Sequence, residues 1–135
     1  MMNRKSILPT ALVLLLLALT ASCRESLEKR GAREAAEYTR KHCPTPVEPR
    51  IMMDSMTFDR VHHTFSYCYT LSGELDDSAL IANGNAKELL LQQLRNSTHL
   101  KLYKEAGYNF RYVYHSSKKH GTTLFETTFR PEDYQ

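Results

Sequence analysis

The chain has 135 residues, enough for one domain and too few for two comfortable ones. A hydrophobic content of 41% with 24% charged residues is that of a soluble globular protein, so disorder is not the default reading. The formal charge of +3 overstates the basic character: Arg4 and Lys5 stand alone at the amino terminus, and the remainder sets 16 basic against 15 acidic side chains, a balance of +1. Such a balance speaks against a nucleic-acid partner and against an electrostatic membrane binder.

Positions 1–22 fall into three zones. Met1–Ser6 holds Arg4 and Lys5, Ile7–Leu19 is apolar apart from Pro9 and Thr10, and Thr20-Ala21-Ser22 is small. That is the layout of a secretory signal peptide. The apolar run Ala11–Leu19 is shorter than the about 20 residues a spanning helix needs, and the charged stretch Arg24–Arg30 follows at once. Two readings of the cut stay open: an ordinary signal peptide beside an incidental cysteine, or a lipid-attachment site. Leu19-Thr20-Ala21-Ser22-Cys23 resembles the lipobox of bacterial lipoproteins, with Thr20 standing where Leu is commonest. The resemblance implies cleavage before Cys23, acylation of that residue, and a membrane partner reached through its acyl chains. Two or three chains anchor a protein stably, whereas one holds it marginally. Arg24 rather than Asp after the cysteine favours, by analogy, the outer membrane over the inner one where an envelope has two.

Next, residues 24–42 read as a helix with opposite charges four apart: Glu25 with Lys29, Arg30 with Glu34, Arg33 with Glu37, Glu37 with Lys41. Its apolar stripe is thin (Leu27, Gly31, Ala35, Tyr38), suited to lying close against a sheet while burying little. Cys43–Pro49 carries three prolines and reads as extended linker. Ile51–Phe58 and Thr64–Leu71 are expected strands, joined by a turn at 59–63. The second alternates cleanly, with Phe65, Tyr67, Tyr69 and Leu71 on one face and Thr64, Ser66, Cys68 and Thr70 on the other.

A capped helix near Asp77 is interrupted by Gly84, and a firmer start is Asn85, with Glu88 three residues on. Ala86, Leu89, Leu90 and Leu94 form its expected buried stripe. Asn96-Ser97-Thr98 breaks it, and a short helix then runs to Ala106, stopped by Gly107. Tyr108–His115 is a strand with Tyr108, Phe110, Tyr112 and Tyr114 on one face and Arg111 and His115 on the other. The strand returns over Thr122–Arg130, with Pro131 ending it.

The block from SYCYTLSG to LYKEAGYNFRYVYHS and TLFETTFRPEDY resembles small lipoproteins of Bacteroidetes-type bacteria that have no assigned activity, over most of residues 43–134. The resemblance implies a shared fold and envelope location, and no function.

Candidate chemistry is sparse. Cys23 is absorbed by the lipid reading, which leaves Cys43 and Cys68 either as a disulfide in an oxidising compartment or as two free thiols. The bond would close a loop of about 25 residues and contribute on the order of 3–4 kcal/mol in the chain-entropy model. Six histidines show no metal-ligand spacing, and His62-His63 point to opposite sides if extended. There is no GxSxG and no glycine-rich phosphate loop, so neither catalytic residues nor a cofactor are assigned. Asp76-Asp77 reads more simply as a helix cap than as a paired-carboxylate site. The tyrosines are the distinctive feature. Either they pack the core face of a sheet, or Tyr67, Tyr69, Tyr112 and Tyr114, with Arg111 and His115 as a polar rim, form a partner-binding surface.

The element order α-β-β-α-β-β is expected to make one α+β sandwich: a single four-stranded antiparallel sheet with helices packed on one face. Residues 1–22 form the cleaved leader, 23–49 a helix and proline-rich tether, and 50–135 the globular domain. The expected function is a membrane-anchored, non-enzymatic binding or adaptor module with an envelope protein, peptide or glycan partner. The alternative is a pilot or assembly factor for an envelope secretion or surface complex, and a third reading is a small hydrolase or metal-dependent enzyme.

Overall fold

The computed structural model describes residues 25–135, so Cys23 and the 1–22 leader lie outside the described residues. Ser26 caps the first helix, α1 (Leu27–His42), by accepting a hydrogen bond from the Lys29 amide at 3.2 Å. The outer side of α1 carries the expected pairs Arg30–Glu34 at 2.7 Å and Arg33–Glu37 at 3.6 Å. Glu25 turns to Arg33 at 3.0 Å rather than to Lys29. The inner side buries Gly31 and Ala35. Lacking a side chain at Gly31, α1 settles on the sheet so closely that a β-carbon there would meet the Phe65 ring at 3.0 Å and the Phe58 and Tyr103 rings at 3.4 Å.

Five strands follow chain order across one sheet: β1 (Thr45–Glu48), β2 (Ile51–Asp59), β3 (Thr64–Leu71), β4 (Asn109–Ser116) and β5 (Thr123–Phe129). The expected four-stranded antiparallel sheet is corrected in two ways. First, the proline-rich stretch read as linker contributes β1, where the missing amide of Pro46 is tolerated because β1 is an edge strand. Second, β3 and β4 are parallel, although both hairpins, β2–β3 and β4–β5, are antiparallel as expected. Between β3 and β4 the chain forms α2 (Ser78–Ala82), α3 (Ala86–Asn96) and α4 (Lys101–Glu105). It thereby returns to the beginning of β3, where the Asn109 amide donates to the His63 carbonyl at 2.9 Å. Parallel neighbours require such a crossover, whereas antiparallel ones need only a turn.

Gly107 ends α4 as expected, with φ at +78°. Its amide donates to the Lys104 carbonyl at 3.1 Å, and the Tyr108 amide donates to that of Tyr103 at 3.0 Å, the two bonds of a Schellman motif. Pro131 does end β5, but it also opens a last helix, α5 (Pro131–Tyr134). Tyr134 is buried there, and its hydroxyl donates to the Tyr108 carbonyl at 2.7 Å. Among the described residues no helix is long and apolar enough to cross a membrane.

The core is an aromatic ladder. The β3–β4 register sets Phe65 beside Phe110, Tyr67 beside Tyr112 and Tyr69 beside Tyr114. The rings stack at centroid distances of 6.0, 5.1 and 4.7 Å. The phenylalanine rung is sealed, the second rung is buried, and the third is half-buried. Cys43 packs against this core, whereas Cys68 alternates with Tyr67 and Tyr69 and so belongs to the opposite face of the sheet. Of the two states left open for Cys43 and Cys68, the structure has two free, half-buried thiols.

β1 pairs with β2 only as far as Met53, which leaves the outer edge of β2 uncovered beyond it. There Thr39 of α1 supplies both missing bonds: its hydroxyl donates to the Met56 carbonyl at 2.7 Å and accepts from the Met56 amide at 2.9 Å. Thr39→Val keeps the shape and removes both bonds, stranding a half-buried peptide group at a cost of about 1–3 kcal/mol. In thermal unfolding this substitution is expected to lower the midpoint by several degrees; an unchanged midpoint would show that the edge does not need the hydroxyl.

Candidate binding groove

At its third rung the ladder is not covered by helix. Tyr69, Tyr112 and Tyr114, with Phe125 of β5, floor a groove of about 400 Å³. One wall comes from Leu75, Ile81 of α2, and Ala86, Leu89, Leu90 and Gln93 of α3. The other comes from Val47 and Glu48 of β1 and Ile51 of β2. Glu48 is the one charged side chain of this lining.

Two buried tyrosines bond within the chain: Tyr103 donates to Glu34 at 2.8 Å and Tyr134 to the Tyr108 carbonyl. Tyr69, Tyr112 and Tyr114 make no hydrogen bond among the described residues. No buried side-chain oxygen or nitrogen is left without a partner there either, so these three hydroxyls keep some exposure, on residues that line the groove. Burial, together with Tyr112 and Glu48, pushes the Tyr114 hydroxyl up to about 12. Burial and neighbouring phenols raise Tyr69 and Tyr112 in the same direction. All three are therefore neutral phenols, able both to donate and to accept at any physiological pH.

The wall carrying Leu75 and Ile81 is held by polar contacts. Asp77 is the N-cap of α2, accepting from the Ala79 and Leu80 amides at 2.9 and 3.3 Å, as its position beside a helix start implies. Asp76 does something else: it reaches the β4–β5 loop, accepting from the Lys118 amide at 2.9 Å and the Ser117 hydroxyl at 3.4 Å. Hydrogen bonds from Ser116, first, and from the Lys118 amide hold its carboxyl below the usual carboxylate range.

The six residues expected to form one partner-binding surface are thus divided. Tyr69, Tyr112 and Tyr114 lie together on the groove floor. Tyr67 is buried beneath them, stacked on Tyr112 at 5.1 Å. Arg111 and His115 alternate with the floor tyrosines on β4 and so face the other way. There Arg111 pairs with Glu126 at 2.6 Å, and the His115 ring lies 3.5 Å from the Thr123 hydroxyl. Leu89, expected in the buried stripe of α3, is 50% exposed and lines the groove instead. A signal for this was present: Leu89-Leu90-Leu91 sweeps about 200° of a helix, more than one sheet-facing stripe can hide. The histidines are scattered, His62 pairing with Asp59 and His63 stacking on Tyr108. Among the described residues no three His, Cys, Asp or Glu side chains converge as metal ligands.

This architecture is shared by solved structures of distant sequence. A Pseudomonas aeruginosa protein described as secreted superposes with a TM-score of 0.68 at 12% identity, over 83% of this chain and 100% of that one. EpsS, the pilotin of the Vibrio vulnificus type 2 secretion system, superposes with a TM-score of 0.58 at 11% identity, over 81% and 92%. Identities this low establish a common fold and nothing finer. No curated protein matches the chain in sequence. A family model, the Domain of unknown function (DUF8479), matches residues 26–125, from the cap of α1 to the third residue of β5, and the chain belongs to that family.

Proposed function

We propose that the protein is a lipid-anchored lipoprotein of the bacterial envelope that holds an apolar segment of a partner protein in the groove, as an adaptor or as a pilot for an envelope secretion or surface complex, without catalysing a reaction. The observation that carries this reading is the groove itself. It combines an aromatic floor, aliphatic walls and unpaired neutral hydroxyls, the mixture typical of recognition sites. A protein or peptide segment suits this lining better than a glycan, because Leu75, Ile81, Leu89 and Phe125 offer apolar area and only Glu48 offers a charge. The envelope location is supported by the lipobox resemblance at Cys23 and by structures of the same fold, one of them described as secreted and one a pilotin.

Three outcomes are expected. Cys23→Ala should move the protein from the membrane fraction to the soluble one; full retention with membranes would remove the lipid anchor from this account. Leu89→Glu places a charge in the apolar wall at an already exposed site, so folding should be unaffected. Photo-crosslinking from the groove to envelope proteins should drop at least about tenfold, since a charge against apolar surface costs well over 1.4 kcal/mol. An unchanged crosslinking pattern would take the groove out of the function.

The third outcome concerns alkaline pH. The floor tyrosines keep their protons in the native state above pH 10, where the same groups in an unfolded chain release theirs. The unfolded state then binds fewer protons, so stability falls as pH rises past 10 and is unaffected below it. The loss should be smaller in a Tyr69→Phe, Tyr112→Phe double variant, and equal alkaline losses in the two proteins would contradict the burial of these hydroxyls.

A further inference from the structure

The groove and the amino-terminal end of α1 lie at opposite ends of the sheet. Glu28, in the first turn of α1, lies 3.4 Å from the His63 imidazole, and Gly31 rests on Phe58 and Phe65. The start of α1 is therefore beside the β2–β3 turn. From that turn β3 runs from Thr64 to the groove residues Tyr69 and Leu71, a distance of roughly 17–23 Å at a strand rise of 3.3 Å per residue.

The tether to a membrane would be short. Residues 23–26 separate Cys23 from the first helical residue, Leu27, and fully extended they span at most about 14 Å. An acylated Cys23 therefore keeps the start of α1, and the turn beside it, at the bilayer surface.

That turn has a suitable tip. Asp59 fixes it, accepting from the Val61 and His62 amides at 2.9 and 3.1 Å and holding the His62 ring at 2.8 Å. Val61 projects from the fixed turn and is 84% exposed, the most exposed large apolar side chain of the described residues. Arg60 is exposed next to it.

We propose that the β2–β3 turn is a membrane-seating tip: Val61 lies at the boundary of headgroups and acyl chains, Arg60 lies among lipid phosphates, and the sheet stands on this turn with the groove facing away from the bilayer. The inference rests on the lipoprotein reading of Cys23. One valine and one arginine would not hold a free domain on a membrane, and the surrounding charges, Glu28, Lys29 and Asp59, are mixed. The covalent tether supplies the proximity, and the tip selects the orientation. A partner segment would then reach the groove from the aqueous side.

The test uses the full-length lipoprotein, purified from an acylating bacterium and reconstituted in vesicles of phosphatidylethanolamine and phosphatidylglycerol. An environment-sensitive fluorophore is placed at Val61→Cys or, for comparison, at Lys118→Cys near the groove end, with Cys43 and Cys68 changed to Ala. Nitroxide lipids labelled near the headgroup should quench the probe at 61 at least about threefold more than the probe at 118. Hydrogen exchange of the unsubstituted protein, which involves no cysteine replacement, should slow at residues 60–63 on vesicles and not at 117–121. Equal quenching at both sites, or protection at 117–121 instead, overturns the seating. Mass spectrometry of the amino-terminal peptide separates the two failures. An unacylated Cys23 overturns the lipoprotein reading and this inference together, whereas an acylated Cys23 without preferential protection at 60–63 overturns the seating alone.

Discussion

The in-register parallel pairing of β3 with β4 is the constraint on which the rest of the structure depends. Each strand alternates aromatic with non-aromatic residues, so only an even register stacks ring on ring across the pair. A slip of one residue would turn one strand's rings to the open face of the sheet and leave the other's without partners. With the register set, the rungs differ in their side chains, one of phenylalanines and two of tyrosines, and in what lies over them. Gly31 and Ala35 of α1 and Tyr103 of α4 close over the phenylalanine rung. At the tyrosine rung of Tyr69 and Tyr114 the same stacked surface lines a groove.

The groove's helical wall is built differently from its floor. Neither the 3-10 turn at Gly73–Leu75 nor α2 contains a buried residue. The segment is held by the Asp77 cap, by the Asp76 reach to the β4–β5 loop, and by the Ser72 amide donating to the Arg50 carbonyl at 3.0 Å. Gly73 takes φ at +57° with the Arg50 guanidinium filling the space a side chain would need. Polar contacts at the surface are individually worth little, so this part of the wall is expected at the low-stability end of the molecule, whereas α3, which buries Leu90 and Leu94, is tied to the core.

How much of this was legible in the sequence depended on whether the signal was local. The alternation of Phe65-Tyr67-Tyr69 and Phe110-Tyr112-Tyr114, the Gly107 stop and the Asp77 cap are each encoded within a few residues, and each is found where its pattern implied. The relation between the two aromatic strands is not local. Two hairpins predict two antiparallel pairs and leave open how the pairs join; that depends on the path of residues 72–108 over the sheet. β1 was hidden for another reason: proline marks the absence of a donor, which a linker and an edge strand tolerate alike. The groove was half visible. The floor tyrosines were singled out, but Arg111 and His115 were grouped with them by sequence proximity although the period of two assigns them to the opposite face. The wall was missed because Leu75, Ile81 and Leu89 look like ordinary core residues until the three segments carrying them are found beside an uncovered floor.

Under the proposed binding role, the ladder would also separate stability from recognition along one pair of strands. At the sealed end, Phe65 and Phe110 are 1% and 0% exposed, so truncating either to Ala empties a filled site. Such a loss costs about 3–5 kcal/mol, a large share of the roughly 5–15 kcal/mol that holds a domain together. At the open end, Tyr114 already borders solvent, and its truncation widens a groove rather than opening a cavity. Protein carrying Phe110→Ala should therefore accumulate poorly and unfold early whatever its partner, whereas Tyr114→Ala should fold and lose contact area on the groove floor. Measured side by side, unfolding midpoints should diverge in one direction and partner crosslinking per folded molecule in the other. Loss of both properties in both variants would mean that the floor and the core are a single cooperative unit, and that the groove cannot be altered without the fold.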